Sequence, residues 1–520
     1  MTIEPTERAA ATQPHHLSAL EQAAALRKGE LSAVELVEHY VRRIDDLDGV
    51  LGAFVTVTAD AALAQAAEAD AALRDGDERP LLGVPTAVKD LAVTAGVRTT
   101  FGSPVYADYV PEVDDDSARL LRAAGTISLG KTATPEFGLP PYTEPAGRPP
   151  AVTPWDLGRL AGGSSGGAGA ATAGGLVPFA HGTDGGGSIR IPAAACGLVG
   201  LKTSRGLVSR GPVGGDPLGM SVSGPLARTV ADAAALLDAL AVLVPGEPYP
   251  LLARPSSYLA ATGEPPPRLR IGRYATPPVP GVVVDPACLA AYEDASRLLA
   301  GLGHEIVDDF DPGIEVGFLP AFEVLWAVLS HGHPVPPEAE PLLAPLTRWW
   351  RDRGAAVSGP EYMAATQAAI GVTRRVVAAQ AAVDVVLTPM LAQLPRPVGW
   401  FTAGGDPGAG LRAAEGLHPV RRDLQHHGPA RTEPAGELGE RERRRGTAGV
   451  GAARGPGGRR RPPARAGRGA GGGSGLDRTN PADLVAPPSP GRKRRSAMMS
   501  SWPWSCPTAR PRCSRPSART

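Results

Sequence analysis

The stretch GGSSGGAGAATAGGLVPFAHGTDGGGSIRIPAAACGLVGLK, residues 162–202, is the most distinctive part of the sequence. Residues 161–176 are almost free of large side chains, and a run of three glycines directly precedes Ser188. A composition rich in Gly and Ser is typical of a flexible linker. No polar spacer follows, however, and small residues also allow a helix to pack closely against a sheet. Composition alone leaves both interpretations of residues 161–176 open.

The first serine of this stretch lies in a pattern shared with known hydrolases. Residues 162–166, GGSSG, match the G-x-S-x-G pattern of the α/β-hydrolase nucleophile elbow, with Ser164 at its centre. That elbow requires a strand directly before the serine, and TPWDLGRLA (153–161) does not read as a strand. A phosphate-binding loop is not indicated, because no Gly-Lys-Ser/Thr sequence follows.

The second serine, Ser188, follows Gly185, Gly186 and Gly187. Consecutive glycines let backbone N–H groups converge on one point, which is how an oxyanion hole is built. A plain glycine-rich turn would have the same composition. The triplet alone does not distinguish the two.

A lysine at the end of an apolar segment favours the catalytic interpretation. LLGVPTAVKDL (81–91) is apolar and β-branched, so we expect a buried strand that leads into a polar turn at Lys89. Burial disfavours the charged form of an amine and lowers its pKa. A neutral amine beside a serine hydroxyl is a competent general base, as in the Ser–Lys variants of nucleophilic catalysis.

Three segments in order carry a family resemblance. GVPTAVKD (83–90), GKTATPEFG (130–138) and the stretch at 162–202 together resemble the amidase signature family, and residues 17–230 follow its pattern. The resemblance implies an α/β fold, the amidase signature fold, with a large mixed β-sheet covered by helices on both faces. It also implies a Ser–cis-Ser–Lys triad, which falls on Lys89, Ser164 and Ser188.

The resemblance assigns further roles around this triad. It implies a cis peptide bond before Ser164 and no metal or cofactor. Asp184 and Arg190 are expected to support the glycine loop, although ordinary surface charges are an alternative. His181 is expected to be a structural histidine with satisfied hydrogen bonds, since Lys89 fills the role of base. The implied oxyanion hole consists of Gly185, Gly186 and Gly187 with the N–H of Ser188, and the supporting residues are Ser165, Asp184 and Arg190.

The implied activity is hydrolysis of a carboxylic amide C–N bond through an acyl-enzyme on Ser188. The partner is then a small-molecule amide, linear or cyclic. PRPVGWFTAGGDP (395–407) resembles bacterial amidases that include the cyclic nylon-oligomer hydrolases. One alternative is the A subunit of a glutamyl-tRNA amidotransferase, which would add partner subunits and tRNA. A second alternative is a catalytically dead amidase-like interaction module.

Composition along the chain predicts two regions. Residues 1–407 are expected to form the amidase domain, with a signature core at 81–210 and a helical substrate-pocket region at 228–400. Residues 408–520 are expected to be a low-complexity basic tail. Aromatic residues of the helical region that are expected to line the acyl pocket are Trp326, Trp349 and Trp350.

Local patterns predict several elements. Apolar residues three and four apart predict helix over 17–48, and Ser32 with Glu35 three positions later reads as a capping box. A second helix is expected at 59–74. VDVVLTPML (383–391) predicts a buried strand.

Charge and cysteine usage narrow the function classes. Lys and Arg total 53, as do Asp and Glu, which suggests neither nucleic acid nor membrane as a partner. Four cysteines show no metal-binding spacing, and no signal-peptide pattern opens the chain, so we expect a reducing cytoplasm. The sequence contains no run of 18 apolar residues, so it does not predict a membrane-spanning helix. A homodimer is compatible with these features.

The tail departs from the rest of the chain. Residues 401–520 carry 23 Lys and Arg against 9 Asp and Glu, with 36 Gly and Pro and no hydrophobic periodicity. A natural basic disordered tail is one explanation. The genetic code offers another, because HPVRRDLQHHGPA (418–430) can be encoded so that a one-nucleotide shift reads TPYAAIYNITGQPA. We therefore expect residues from about 408 onward to be translated out of frame.

Overall fold

The computed structural model describes residues 13–213, 218–251, 254–314 and 318–404. The predicted out-of-frame segment from 408 lies outside these described residues. The helices are α1 (Ala19–Lys28), α2 (Ala33–Leu51), α3 (Ala59–Arg74), α4 (Asp116–Ala123), α5 (Gly166–Ala173), α6 (Arg190–Cys196), α7 (Val230–Leu240), α8 (Tyr258–Ala261), α9 (Pro286–Gly301), α10 (Phe318–His331), α11 (Pro345–Ala356) and α12 (Gly359–Gln380). The strands are β1 (Phe54–Val57), β2 (Pro85–Lys89), β3 (Ile127–Thr132), β4 (Val152–Thr153), β5 (Asp156–Leu160), β6 (Phe179–Asp184), β7 (Val199–Gly200), β8 (Val222–Ala227), β9 (Arg270–Arg273), β10 (Glu305–Val307) and β11 (Val385–Leu387). Short 3₁₀ turns lie at Pro14–His16, Pro104–Tyr106, Glu136–Gly138 and Pro337–Leu342.

The N-terminal helical region consists of two helices rather than the single one predicted over 17–48. Helix α1 ends at Gly29, whose φ of 68° is left-handed and suits glycine. Helix α2 begins with the predicted capping box, in which the Glu35 N–H donates to Ser32 Oγ at 3.1 Å and the Ser32 N–H donates to Glu35 Oε2 at 2.9 Å. A cap in the middle of a periodic pattern therefore marks a new helix.

Two small sheets stand side by side and carry the predicted α/β core. In one, β3 lies between β1, to which it is antiparallel, and β2, to which it is parallel. In the other, β8 lies between β6 and β7 and is antiparallel to both. The two meet where Thr86 Oγ1 of β2 donates to the carbonyl of Phe179 in β6 at 3.4 Å. Helices α3, α5 and α7 pack against these strands.

The glycine- and alanine-rich stretch is packed structure, so the linker interpretation of 161–176 is wrong. Residues Gly166–Ala173 form α5, and their neighbours come very close. A Cβ atom on Gly167 would lie 2.3 Å from the Ala133 backbone nitrogen and 2.4 Å from the Ala53 carbonyl oxygen. Only glycine allows this approach. The small side chains therefore serve close packing of the helix.

Residues after 254 form helices α8 to α12 and a further sheet, which is parallel and has the order β10-β9-β11. Helix α10 packs against both α11 and α12. The prediction of a buried strand over 383–391 was wrong in length and burial, because β11 spans only three residues and Val385 is 44% exposed. Its position at the edge of the sheet explains the exposure. Among the described helices, none is both long and apolar enough to cross a membrane.

Candidate active site

Lys89 is the last residue of β2, and its amine is enclosed by polar partners. The side chain has no exposed surface. Its Nζ lies 2.8 Å from Ser164 Oγ, 3.0 Å from Thr183 Oγ1 and 3.5 Å from the Thr183 carbonyl oxygen. Burial, reinforced by the positive charge of Arg210 and opposed by Asp184, lowers the pKa of Lys89 well below its usual value. The pKa shift therefore favours the neutral form of an amine that lies beside a serine hydroxyl.

Ser164 lies where the backbone is unusually crowded. The peptide bond between Gly163 and Ser164 is cis, as the resemblance implied. A Cβ atom on Gly163 would lie 2.5 Å from the Tyr142 backbone nitrogen, and one on Gly138 would lie 3.1 Å from Ser164 Oγ. These two glycines let the chain enclose Ser164, which is 2% exposed.

Ser188 lies in the loop between β6 and α6. The loop is held by the Asp184 carboxylate, which accepts hydrogen bonds from the N–H groups of Gly187 at 2.7 Å and Ile189 at 3.2 Å. Arg190 donates to the same carboxylate through Nε at 2.8 Å and Nη2 at 2.9 Å. Asp184 and Arg190 are both buried, so they are not the surface charges considered as an alternative.

The electrostatics of this carboxylate favour its charged form. Burial by itself would raise the pKa of Asp184, but the charge and hydrogen bonds of Arg190, with help from the Gly187 N–H, lower it below the usual range. A buried ion pair with several hydrogen bonds fixes the geometry of the loop that it spans.

These contacts correct the role in the oxyanion hole that was implied for Gly187. The Gly187 N–H already donates to Asp184, so it does not point into free space. Within the described part of the chain, the N–H groups of Gly185, Gly186 and Ser188 make no hydrogen bond. Gly186 has no neighbouring atom within 4 Å of its Cβ position. The N–H groups of Gly185, Gly186 and Ser188 are therefore the ones of this loop that are free to donate to a bound group.

Ser165 connects the two serine segments. Its N–H donates to the Ser188 carbonyl at 3.1 Å. Its hydroxyl donates to the Thr183 carbonyl at 3.2 Å and accepts from the Thr183 N–H at 3.3 Å. The Ser188 hydroxyl, in contrast, has no hydrogen-bond partner among the described residues. Its link to Ser164 is not formed in this structure.

The wall above the glycine loop comes from the helical region. A Cβ atom on Gly185 would lie 3.5 Å from the six-membered ring of Trp326, which stacks on Phe322 with ring centroids 5.3 Å apart. Trp326 thus lies against the glycine loop, while its role as a wall of the acyl pocket stays a prediction. Trp350 is 1% exposed and packs against Ala327 of α10, so it belongs to the core. Trp349 joins that same cluster.

Sequence reasoning missed Thr183 and a second buried lysine, Lys131. Lys131 Nζ donates to Thr99 Oγ1 at 3.0 Å and lies 3.9 Å from an oxygen of Asp90. Burial lowers the pKa of Lys131 to about 8, while Asp90 acts against this. The signal that could have revealed Lys131 was its position within ISLGKT (127–132), a segment with the pattern of a strand. The only sequence signal for Thr183 was its position next to Asp184.

His181 differs from its expectation. It is buried on β6, but neither ring nitrogen has a hydrogen-bond partner among the described residues. Burial, with the charges of Lys89, Arg210 and Lys131, lowers the pKa of His181 to about 3. A histidine held neutral in this way is structural, although its hydrogen bonds are not satisfied as predicted.

Within the described residues, no group of three or more His, Cys, Asp or Glu side chains is arranged so that it could hold a metal ion. Cys196 and Cys288 are both buried free thiols.

The structure thus places a buried lysine beside one serine and a second serine on a glycine loop. The sequence profile of the amidase family matches residues 35–409. The chain belongs to the amidase family, and the protein is an amidohydrolase.

Three comparisons describe where this chain is similar to known proteins. A putative amidase of Mycobacterium tuberculosis, AmiB2, is 40% identical over 413 residues, which are 78% of this chain and 84% of that protein. The structure of 6-aminohexanoate cyclic dimer hydrolase superimposes with a TM-score of 0.70 at 30% identity, covering 79% of this chain and 86% of the other. The A subunit of glutamyl-tRNA(Gln) amidotransferase from Thioalkalivibrio sulfidiphilus is 43% identical over 258 residues, which are 50% of this chain and 53% of that protein.

Proposed function

We propose that this protein hydrolyses a carboxylic amide through an acyl-enzyme on Ser188, with Ser164 and Lys89 as its proton relay. The observation that carries the proposal is the 2.8 Å contact between Lys89 Nζ and Ser164 Oγ at a lysine without solvent access. Burial lowers the pKa of this lysine and favours its uncharged form, which is able to accept a proton.

In the acylation step, Ser188 Oγ attacks the amide carbonyl carbon and its proton passes to Ser164 Oγ. The Ser164 hydroxyl proton moves at the same time to Lys89 Nζ, which becomes an ammonium. The negative charge on the former carbonyl oxygen is held by the N–H groups of Gly185, Gly186 and Ser188. The open Ser164–Ser188 link does not oppose this step, since catalytic hydrogen bonds often tighten only when substrate binds.

In the second half of acylation, the Lys89 ammonium returns its proton through Ser164 to the nitrogen of the leaving amine. The C–N bond then breaks and leaves the acyl group on Ser188. Amines are poor leaving groups as anions, so this protonation is as necessary as the nucleophile. Water attacks the acyl-enzyme by the same relay and releases the carboxylic acid.

The substrate class that we propose is a small linear or cyclic amide with an apolar acyl group. Trp326 covers Gly185 of the glycine loop that leads to Ser188, and Phe322 stacks on Trp326. The similarity to 6-aminohexanoate cyclic dimer hydrolase extends over 79% of this chain, which supports an aliphatic or cyclic amide.

The A subunit of a glutamyl-tRNA amidotransferase remains the second candidate. Its similarity spans half of this chain, whereas the similarity to the putative amidase spans 78%. Half-length similarity is expected for two enzymes that share a catalytic core and differ elsewhere. Transfer of ammonia to charged tRNA by the purified protein would favour this candidate over the amidase.

The experiment combines covalent labelling with turnover. A fluorophosphonate should label Ser188, as located by peptide mass spectrometry, and Ser188→Ala should abolish both labelling and hydrolysis of an aliphatic 4-nitroanilide. Ser358→Ala, at an exposed helix start, is the control and should retain both. Labelling at Ser164 in the unaltered protein would contradict the assignment. A folded protein that takes no label and turns over no amide would favour the catalytically dead alternative.

Four further features remain our proposals. Residues 1–407 would form the amidase domain, and residues from 408 onward would be read out of frame. Two buried free cysteines, Cys196 and Cys288, support a reducing cytoplasm. A homodimer is tested by light scattering of the purified protein.

A further inference from the structure

The Lys89 amine has three polar neighbours, and Thr183 supplies two of them. Nζ lies 3.0 Å from the Thr183 hydroxyl and 3.5 Å from the Thr183 carbonyl, which is the weaker contact. The third neighbour is Ser164 Oγ at 2.8 Å. Thr183 is 4% exposed, so water does not replace these contacts easily.

Three neighbours match the hydrogen-bonding capacity of an amine in both of its protonation states. An ammonium has three N–H donors, and the three oxygens around Nζ can accept all of them. A neutral amine has two N–H donors and one lone pair. If Thr183 accepts the two donors, the lone pair is directed at the remaining neighbour, Ser164 Oγ.

We propose that Thr183 is a positioning residue of the base: its hydroxyl and carbonyl take two of the three directions around Lys89 Nζ, so that the third always points to Ser164 Oγ. In the neutral state this direction holds the lone pair that receives the Ser164 proton. In the ammonium state it holds the N–H that returns the proton to Ser164. The inference rests on the proposed role of Lys89 as the base.

Ser165 makes the position of Thr183 rigid. The Ser165 hydroxyl contacts both the N–H and the carbonyl of Thr183, at 3.3 Å and 3.2 Å. The Ser165 N–H is bonded to the Ser188 carbonyl at 3.1 Å. One serine therefore couples the residue that orients the base to the residue that carries the nucleophile.

The role of Thr183 predicts a direction for the pH profile. A hydroxyl that accepts from an ammonium stabilises the charged form, so its removal lowers the pKa of the amine. The charged groups that act on Lys89 are Arg210 and, on β6, Asp184. The buried His181, also on β6, feels the charges of Lys89, Arg210 and Lys131. None of these is altered by a substitution at Thr183.

The test compares Thr183→Val, which removes the hydroxyl at nearly constant volume, with Thr183→Ser, which keeps it. The rate constant for fluorophosphonate labelling of Ser188 is measured against pH, together with kcat and KM for an aliphatic 4-nitroanilide. For Thr183→Val we expect a loss of about 10- to 100-fold at the pH plateau, mainly in kcat, because a hydrogen bond to a charged group is lost. We also expect the acid limb to move to lower pH. Thr183→Ser should keep both within about three-fold of the original, on the same argument.

Two results separate this inference from the proposed function. A valine variant with the original plateau or the original acid limb would overturn the role of Thr183 while leaving the triad intact. An unaltered protein without labelling at Ser188 would instead overturn the triad. If Thr183→Val does not fold, as judged by circular dichroism, Thr183→Ala lacks the same hydroxyl and is measured in its place with the same expectation.

Discussion

Arg190 meets Asp184 in a buried two-point contact, with Nε 2.8 Å from one carboxylate oxygen and Nη2 2.9 Å from the other. The same carboxylate accepts the N–H of Gly187, so the ion pair determines where the glycine loop lies. Arg190 begins α6 and Asp184 ends β6, which means that the pair closes the loop that presents Ser188.

Asp184→Asn should destabilise the fold and reduce catalysis. The substitution leaves the Arg190 charge buried without its partner, which typically costs about 3–5 kcal/mol. The free energy of unfolding in urea measures the loss. Asp156→Asn, which removes an exposed partner of Arg159, is the control and should change stability by less than about 1 kcal/mol. Equal effects of the two substitutions would show that the buried pair does not hold the loop.

The contribution of Asp184 to stability should depend on pH with a definite sign. Its pKa is lower in the folded protein than in the unfolded chain, so the unfolded state binds more protons as pH falls. The stabilisation is therefore fully present above the unfolded carboxylate value of about 4 and is lost as pH falls through the lower folded value. The difference in unfolding free energy between the original protein and Asp184→Asn, measured from pH 7 to pH 3, should shrink only at the acid end. A difference that shrinks above pH 5 would indicate another group.

Lys89→Ala should impair amides more than esters. An amine leaving group needs a proton from the relay, whereas an alkoxide leaves more readily without one. We expect a loss of at least about 10³-fold for an aliphatic 4-nitroanilide, from the combined loss of base and acid, and a smaller loss for the 4-nitrophenyl ester with the same acyl group. Lys28→Ala changes an exposed lysine and serves as the control. Equal losses on both substrates would contradict the double role of Lys89.

The features that could be predicted from the sequence are those that leave a pattern in residues close together along the chain. The capping box at Ser32 needs only three residues, and the strand that ends at Lys89 has a continuous apolar pattern. A long ordered motif predicted that Lys89 and Ser164 lie together, as their 2.8 Å contact shows, while the role of the triad stays a prediction. In contrast, the split between α1 and α2 depends on one glycine, Gly29, whose left-handed conformation a periodic pattern does not reveal.

Tertiary contacts account for what was missed. TPWDLGRLA was not expected to contain a strand, yet β5 pairs antiparallel with β4 in a two-stranded hairpin, and Arg396 accepts a backbone hydrogen bond from Leu160. That hairpin is not the parallel strand that a nucleophile elbow needs. The role of Thr183 depends on β2 and β6 lying side by side, and no sequence pattern specifies that neighbour. Likewise, the Gly187 N–H is unavailable because it donates to the Asp184 side chain, and this contact is seen only in the structure.

Trp326 and Gly185 should set the space for the acyl group. The φ of Gly185 lies outside the left-handed region, and an added Cβ would meet Trp326 at 3.5 Å without a clash. Gly185→Ala should therefore fold normally and reduce kcat/KM for bulky acyl groups more than for acetyl. Trp326→Ala should shift the preference toward bulky acyl groups. Rates for a series of 4-nitroanilides of increasing acyl length measure both. Parallel changes along the whole series would place Trp326 away from the acyl group.

Restoring the reading frame after residue 407 should raise both stability and activity. The family profile ends at residue 409, and the match to the putative amidase of Mycobacterium tuberculosis covers 84% of that protein. The shifted frame of 418–430 reads TPYAAIYNITGQPA, TAGVGAARG (447–455) allows LPVSVQLVG, and RPPARAGRGAGG (461–472) allows ALLLALAAALEA. The middle base of each shifted codon is a wobble base of the written frame and is free to vary, whereas the other two bases are constrained. The shifted segments nevertheless resemble, in order, the closing strands and terminal helix of the family.

The physical reason for the expected gain is apolar burial. The shifted segments are rich in aliphatic residues, while the tail as written has 22 arginines and one lysine. Each Å² of apolar surface removed from water contributes about 25 cal/mol, and whole domains are stable by only about 5–15 kcal/mol. The chain as written should be poorly soluble or inactive, with a tail that proteases remove readily. A frame-restored protein should unfold at higher temperature and hydrolyse an aliphatic 4-nitroanilide faster, and a chain ending at residue 407 is the control for simple removal of the tail. Resequencing of the gene that confirms the written frame, together with a stable and active full-length protein, would refute the proposal.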